Sequence, residues 1–296
     1  GEKYPEIIAP LDKFPSDRGP AQLITDYMSV DQNFLAPIMS NPENVYYLGP
    51  NAYGKPAAAL NILRETIMGK ELFDYAFKTY SQRWMFKHPT PEDFFRTMED
   101  ASAVDLDWFW RGWFYSTDFV DIGLKEVNQY FVSPEPGEEM LKIMEEQGVP
   151  RNRLRPLIFF EKNENDKSNS KENSAIDNSK LLGNYLKENY SQEELDVIDV
   201  PKYYYEVVFN KPGGLVMPII IDIKYEDGET VRKKYPAQVW RKNDNEVIKI
   251  LTSNKKIIEI VLDPDKETAD IDERNNSWPK KEDQTDFDKF KSNVKG

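Results

Sequence analysis

Asn51-Ala52-Tyr53-Gly54-Lys55-Pro56 runs directly into Ala57-Ala58-Ala59-Leu60-Asn61-Ile62-Leu63-Arg64-Glu65-Thr66-Ile67-Met68-Gly69. Pro56 suits a first helical turn, where its missing N–H is no loss. Ala57, Ala58 and Ala59 are strong helix formers. Leu60, Leu63 and Ile67 recur at i, i+3 and i+7, one buried stripe. Gly69 stands where a C-cap glycine belongs. The stretch therefore predicts a helix with Tyr53 at its mouth. A phenol there is either packing or a donor aimed at developing negative charge.

Further helices follow in sequence. Lys70 to about Trp84 carries Leu72, Phe73, Ala76, Phe77, Tyr80 and Trp84 on one face. Thr90-Pro91-Glu92-Asp93 starts another, with a capping threonine, a proline in the first turn and acids where the helix dipole favours them. Phe94, Phe95, Met98 and Ala101 are its apolar face. A fourth begins near Asp105 with Leu106, Trp108, Phe109, Trp110, Trp113 and Phe114. Short connectors predict antiparallel neighbours, a helical bundle or solenoid. Upstream, Leu23, Tyr27, Val30 and Phe34 give Gln22 to Ala36 a helical stripe between prolines.

The period changes after Ser116. Val120 to Val132 alternates loosely, as a strand or extended connector. Gly137 to Glu146 reads as a short helix, and 161–180, nearly all polar, as a disordered insertion. From Lys202 the signals are those of strands: Tyr203 to Phe209, Leu215 to Tyr225, Thr230 to Trp240 interrupted by Pro236, Glu246 to Leu251, and Lys256 to Leu262. Asp227-Gly228 is a hairpin turn. The expected class is α+β and multidomain, a helical bundle or solenoid followed by an Ig-like β-sandwich. The expected division is 1–118 helical, 119–200 connector, 201–278 sandwich and 279–296 charged tail.

Composition excludes several functions. A formal net charge of -13 over 296 residues opposes nucleic-acid binding, which needs a basic footprint. No apolar run reaches the length of a membrane span. With no cysteine there is no disulfide framework and no thiolate metal site. The one histidine, His88, lies in Lys87-His88-Pro89-Thr90-Pro91. One histidine is too few for a histidine-based zinc site. It reads as a lone acid/base or, more simply, as a loop or helix-entry residue packing on aromatics.

Other candidates have plain structural readings. Asp105 with Asp107, and Glu99 with Asp100, are acidic pairs at helix ends, where capping accounts for them. Arg151, Arg153 and Arg155 form a basic knot that reads as a solvated face. Gly213-Gly214 is turn chemistry between strands. Tyr203-Tyr204-Tyr205 cannot be one stacking platform, because successive strand residues face opposite sides. No complete catalytic site emerges from residue chemistry alone.

Tyr53-Gly54-Lys55-Pro56 and its helix resemble the segment after the zinc site in aminopeptidase N-like zinc metallopeptidases, which are gluzincins. The family shows Tyr-Glu-Lys-Gly there; Gly54 and Pro56 depart from it. Glu71-Leu72-Phe73 to Tyr80, Phe86 to Phe94, and Trp108-Phe109-Trp110-Arg111-Gly112-Trp113-Phe114 are similar to the family's continuation. Tyr203 to Trp278 is similar to the β-sandwich of bacterial members. The resemblance implies peptide-bond hydrolysis by a zinc-activated water. The family's metal motif, His-Glu-x-x-His with a third Glu, lies upstream of the tyrosine. The 52 residues before Tyr53 hold no histidine. By this resemblance only Tyr53 inherits a catalytic role, donating a hydrogen bond to the oxyanion of the tetrahedral intermediate.

The resulting expectation is a C-terminal fragment of such a peptidase, inactive by itself. It would hold no cofactor; zinc and the peptide substrate would belong to the parent, whose missing N-terminal half would dock on the helical part. The opening Gly1-Glu2-Lys3, without Met or a signal sequence, reads as a mature product or an excised fragment. Export is expected, since the bacterial relatives it resembles are often exported. The rival expectation is a non-catalytic module that binds a peptide or a glycan.

Overall fold

The computed structural model describes residues 20–133, 138–148, 159–162, 187–188, 191–195, 201 and 203–280. Arg151, Arg153, Arg155, the tail beyond 280 and most of 161–180 lie outside these. The described chain mixes helices with two antiparallel sheets.

The stretch 22–36 breaks up. A 3-10 turn, Ala21–Ile24, leads into α1, Thr25–Met28, and a second 3-10 turn covers Gln32–Phe34. The cause is local. Ser29 Oγ donates back to the Thr25 carbonyl at 2.7 Å, and Asp31 Oδ1 accepts from the Asn33 amide at 2.9 Å. Such side-chain bonds offer the backbone an alternative to continuing the helix.

The helix after Tyr53 begins one turn earlier than Pro56 predicts. Pro50–Gly54 is already a π turn, α2 is Lys55–Ile62, and Leu63–Met68 is a second π turn ending at Gly69, φ 86°. Then come α3, Lys70–Trp84; α4, Pro91–Ser102; and α5, Asp107–Tyr115. Thr90 and Asp93 form the capping box of α4, each side chain accepting from the other's amide. The aromatic faces interlock: Tyr80 meets Phe94 edge-on at 4.8 Å and Phe95 stacks on Trp110 at 4.6 Å. Phe109 and Trp113 are fully buried beneath them.

The first sheet orders as β2-β1-β3-β6, from Phe159–Lys162, Gly123–Ser133, Tyr203–Asn210 and Glu246–Ser253. The second orders as β5-β4-β7-β8, from Thr230–Tyr235, Ile219–Tyr225, Ile257–Leu262 and Ser277–Trp278. Pro236, which has no N–H for a ladder, ends β5; a 3-10 turn, Ala237–Arg241, replaces the rest of the expected strand. Leu215 to Pro218 is buried for the most part but not strand. A short helix α6 covers Glu138–Glu146, and α7 covers Gln192–Leu195.

Helices and strands share one apolar cluster that includes Ile62, Trp113, Val120, Phe209, Met217 and Ile221. The segment after α5 is clasped by the turn after β3. Phe119 pairs in parallel with Gly214; its amide donates to the Gly213 carbonyl at 3.0 Å, and its carbonyl accepts from Leu215 at 3.1 Å. Here the close approach requires glycine. A Cβ on Gly213 would lie 2.5 Å from the Asp121 amide nitrogen and nearer still to the Phe119 carbonyl oxygen. Neither backbone atom can step aside. Gly213→Ala is expected to lower the unfolding free energy by about 1–3 kcal/mol in urea denaturation, the usual range for overpacking. Gly49→Ala, whose Cβ meets nothing within 4 Å, is the control and should change little.

Candidate functional site

Helical geometry decides which way Tyr53 faces. Asn51, Lys55, Ala58, Ala59, Ile62, Leu63 and Thr66 are all buried. They recur at spacings of three and four, so they form the inward stripe. Tyr53 is two residues from both Asn51 and Lys55, roughly 200° around a helix, and so points outward. It is 65% exposed. Its hydroxyl has no hydrogen-bond partner among the described residues.

The two flanking polar residues fix the turn's backbone. Asn51, 2% exposed, donates through Nδ2 to the Ala36 carbonyl at 2.6 Å and to Tyr27 Oη at 3.3 Å. Lys55, also 2% exposed, donates through Nζ to the Ser116 carbonyl at 3.1 Å. Burial pulls the Lys55 amine down to about 8, against the attraction of Asp118. An ammonium taken from water disfavours its charged form, which is the sign observed.

Beside this turn lies an aromatic surface. Tyr46 packs on Phe34 and Tyr47 at ring distances of 5.6 and 5.2 Å, and Tyr47 meets Tyr27 edge-on at 6.3 Å. Phe34, Tyr46, Tyr47 and Leu48 are all exposed.

The other sequence candidates do not join it. His88 is exposed in the connector between α3 and α4. The acids at the helix ends have structural partners: Glu99 Oε1 accepts from the Leu106 amide at 2.8 Å, and Asp105 accepts from the Asp107 amide at 3.3 Å and pairs with Arg241 at 2.6 Å. Tyr205 is buried in the core, where its hydroxyl accepts from the Ile257 amide at 2.9 Å. Among the described residues no group of three or more His, Cys, Asp or Glu could hold a metal ion. The described side chains do not make up a zinc site. No helix among them is long and apolar enough to cross a membrane.

Sequence reasoning missed Asn51, Lys55 and an acidic loop. The first two carried a signal, their i, i+4 spacing in register with Ala59, Ile62 and Thr66. The loop carried none. Asp263 accepts from the Glu267 and Thr268 amides, at 2.8 and 3.0 Å, and Asn275 Nδ2 donates to Asp121 at 2.8 Å. Asp270 accepts from the Asp272 amide and from Asn276 Nδ2, each at 3.0 Å. Burial, with Asp121 and Asp263 nearby, pushes Asp270 up to about 7. The loop borders an open cavity of about 310 Å³ lined partly by Gln22, Lys266 and Glu273.

The fold and site so far define an α+β protein with an exposed phenol on a firmly held helical turn. No protein-family model matches the chain, and no curated protein sequence does. Among solved structures it is similar to aminopeptidase A of Legionella pneumophila in complex with aspartic acid, at 12% identity and a TM-score of 0.39. The match covers 75% of this chain and 17% of that one. A likeness of that size assigns neither family nor activity.

Proposed function

We propose that the chain is the C-terminal part of an aminopeptidase N-like zinc metallopeptidase, in which Tyr53 donates to the oxyanion of peptide hydrolysis. The observation that carries this reading is Tyr53 itself. Its phenol is exposed and unpartnered among the described residues, on a turn held by two buried polar side chains. Packing does not account for it, since an exposed hydroxyl without a partner contributes little to stability. A donor for developing charge must be free to donate and carried on a held backbone, and Tyr53 suits that role in both respects.

On this reading the zinc, its ligands and the general base belong to a longer polypeptide, and the 296-residue chain by itself hydrolyses nothing. The helices are the rear of the catalytic domain, a bundle, and the two sheets an Ig-like accessory sandwich. The exposed Phe34, Tyr46 and Leu48 suit the surface on which the catalytic half would dock. The protein is an exported one.

The test is the reading frame upstream of Gly1. A His-Glu-x-x-His within the preceding hundred or so residues, and zinc-dependent cleavage of an aminoacyl reporter by the longer polypeptide, are expected. A start codon just before Glu2 would instead leave a non-catalytic peptide- or glycan-binding module. Stoichiometric zinc and cleavage in the 296-residue chain alone would equally overturn the proposal.

A further inference from the structure

We infer that Lys55 is a positioning residue for Tyr53: its buried ammonium ties the π turn to the C-terminal end of α5 and so fixes where the phenol stands. The functional consequence rests on the reading above; the geometry does not.

Lys55 is an odd choice for its place. It lies on the inward stripe of α2, where Met or Leu would fill the same space with no charge to desolvate. Its stem packs like theirs, so packing alone does not explain the amine. The amine has one hydrogen-bond acceptor among the described residues, the carbonyl of Ser116 at 3.1 Å. Ser116 is the C-cap of α5. Its backbone is already extended, φ -126° and ψ 166°, so its carbonyl has no place in the helix's own hydrogen bonds, and the amine supplies a donor to it. Asp118, exposed two residues further on, adds attraction.

The bond joins two segments 61 positions apart in the chain. One end is the clasped connector after α5, held through Phe119 to Gly213 and Gly214. The other end is the turn that carries Tyr53. Asn51, on the same inward stripe, holds the turn's other end, on the Ala36 carbonyl. Without Lys55 the turn has a polar tether at one end only. A π turn admits neighbouring helical registers, and a change of register would swing the residue at 53 around the axis. Tyr53 has no bond of its own to resist that, so its direction is inherited from its two neighbours.

The test uses the 296-residue chain labelled with tyrosine carbon-13 at the ζ position. Comparison with Tyr53→Phe assigns the Tyr53 resonance. In Lys55→Met this resonance should shift and broaden or split, while that of Tyr205, buried in β3, stays in place and reports an intact fold. Lys55→Arg, which keeps the cation and can still reach a carbonyl, should restore a single Tyr53 line. A Tyr53 line unchanged in Lys55→Met, with the fold intact, overturns the proposal. Should Lys55→Met not fold, Lys55→Gln, which keeps a donor on a shorter stem, takes its place with the same two outcomes.

In the longer polypeptide, Lys55→Met is expected to lower kcat at least tenfold with KM and zinc content unchanged, and to cost nothing more in a Tyr53→Phe background. An equal loss in both backgrounds would mean that Lys55 acts elsewhere than through Tyr53, and would overturn the proposal. Failure of the peptidase reading would appear as absent zinc and absent cleavage in the unsubstituted protein. The tyrosine spectra are independent of that result.

Discussion

Tyr53→Phe is expected to reduce turnover by the zinc-containing longer polypeptide about 100- to 1000-fold, while its zinc content and stability stay as they were. The size follows from the role. Removing one preorganised donor to an oxyanion costs about 3–4 kcal/mol of transition-state stabilisation, and the loss falls on kcat because the ground-state carbonyl carries little charge. The selectivity follows from the structure. The Tyr53 hydroxyl has no partner among the described residues and the side chain is exposed, so its deletion leaves no buried group unpaired. Unfolding in urea should therefore move by less than about 0.5 kcal/mol, the range for surface changes. Steady-state kinetics on an aminoacyl reporter, metal analysis and a denaturation curve decide the matter together. Unchanged turnover with bound zinc would return Tyr53 to a packing role. A parallel fall in stability and turnover would assign it to the fold.

What the sequence disclosed and what it withheld differ by range. Features written within a few residues were legible. Thr90-Pro91-Glu92-Asp93 spelled out a capped helix start, and a capping box stands there. Gly69 marked the end of the helical stretch, and its φ of 86° is one that glycine adopts freely. Pro236 was legible as a break, but not as the end of β5: the strand expected to run on to Trp240 stops at Tyr235. The turn around Tyr53 was misread because two prolines compete for the helix start. Pro56 looked like the first turn, but Pro50 holds that position one turn earlier, and Pro56 falls second in α2, where the π turn passes into the α-helix. Lys55 carried opposing signals: lysine is seldom buried, yet its spacing to Ala59 and Ile62 puts it inside. Asp270 carried no local signal at all. Its burial arises when 263–276 folds back on β7 and on Val120, whose carbonyl accepts from Ile271 at 3.0 Å.

That burial gives Asp270 a large expected pH effect on stability. Its pKa rises from 3.8 to about 7 in the folded chain. Loss of hydration is the leading cause, and the carboxylates of Asp121 and Asp263 add repulsion; the bonds from the Asp272 amide and Asn276 Nδ2 pull the other way. An acid with a raised folded pKa holds its proton more tightly folded than unfolded. Between pH 4 and 7 the folded state therefore binds more protons, and stability falls as pH rises through that window. The shift of about three units corresponds to roughly 4 kcal/mol at 1.36 kcal/mol per unit, an upper figure for this group. Asp270→Asn removes the titration. Its amide oxygen can keep the bond from Asp272, and its NH2 can donate to Asn276 Oδ1, which is buried without a partner, once that amide turns over. Relative to the unsubstituted chain, the variant should be near equal at pH 4.5 and more stable by up to roughly 4 kcal/mol at pH 8. Urea denaturation at pH 4.5, 6 and 8 measures the difference directly. A gap that stays flat across the three would show that Asp270 is ionised and well hydrated in the folded chain. A gap that closes as pH rises would show its carboxylate to be stabilised rather than strained by the loop around it.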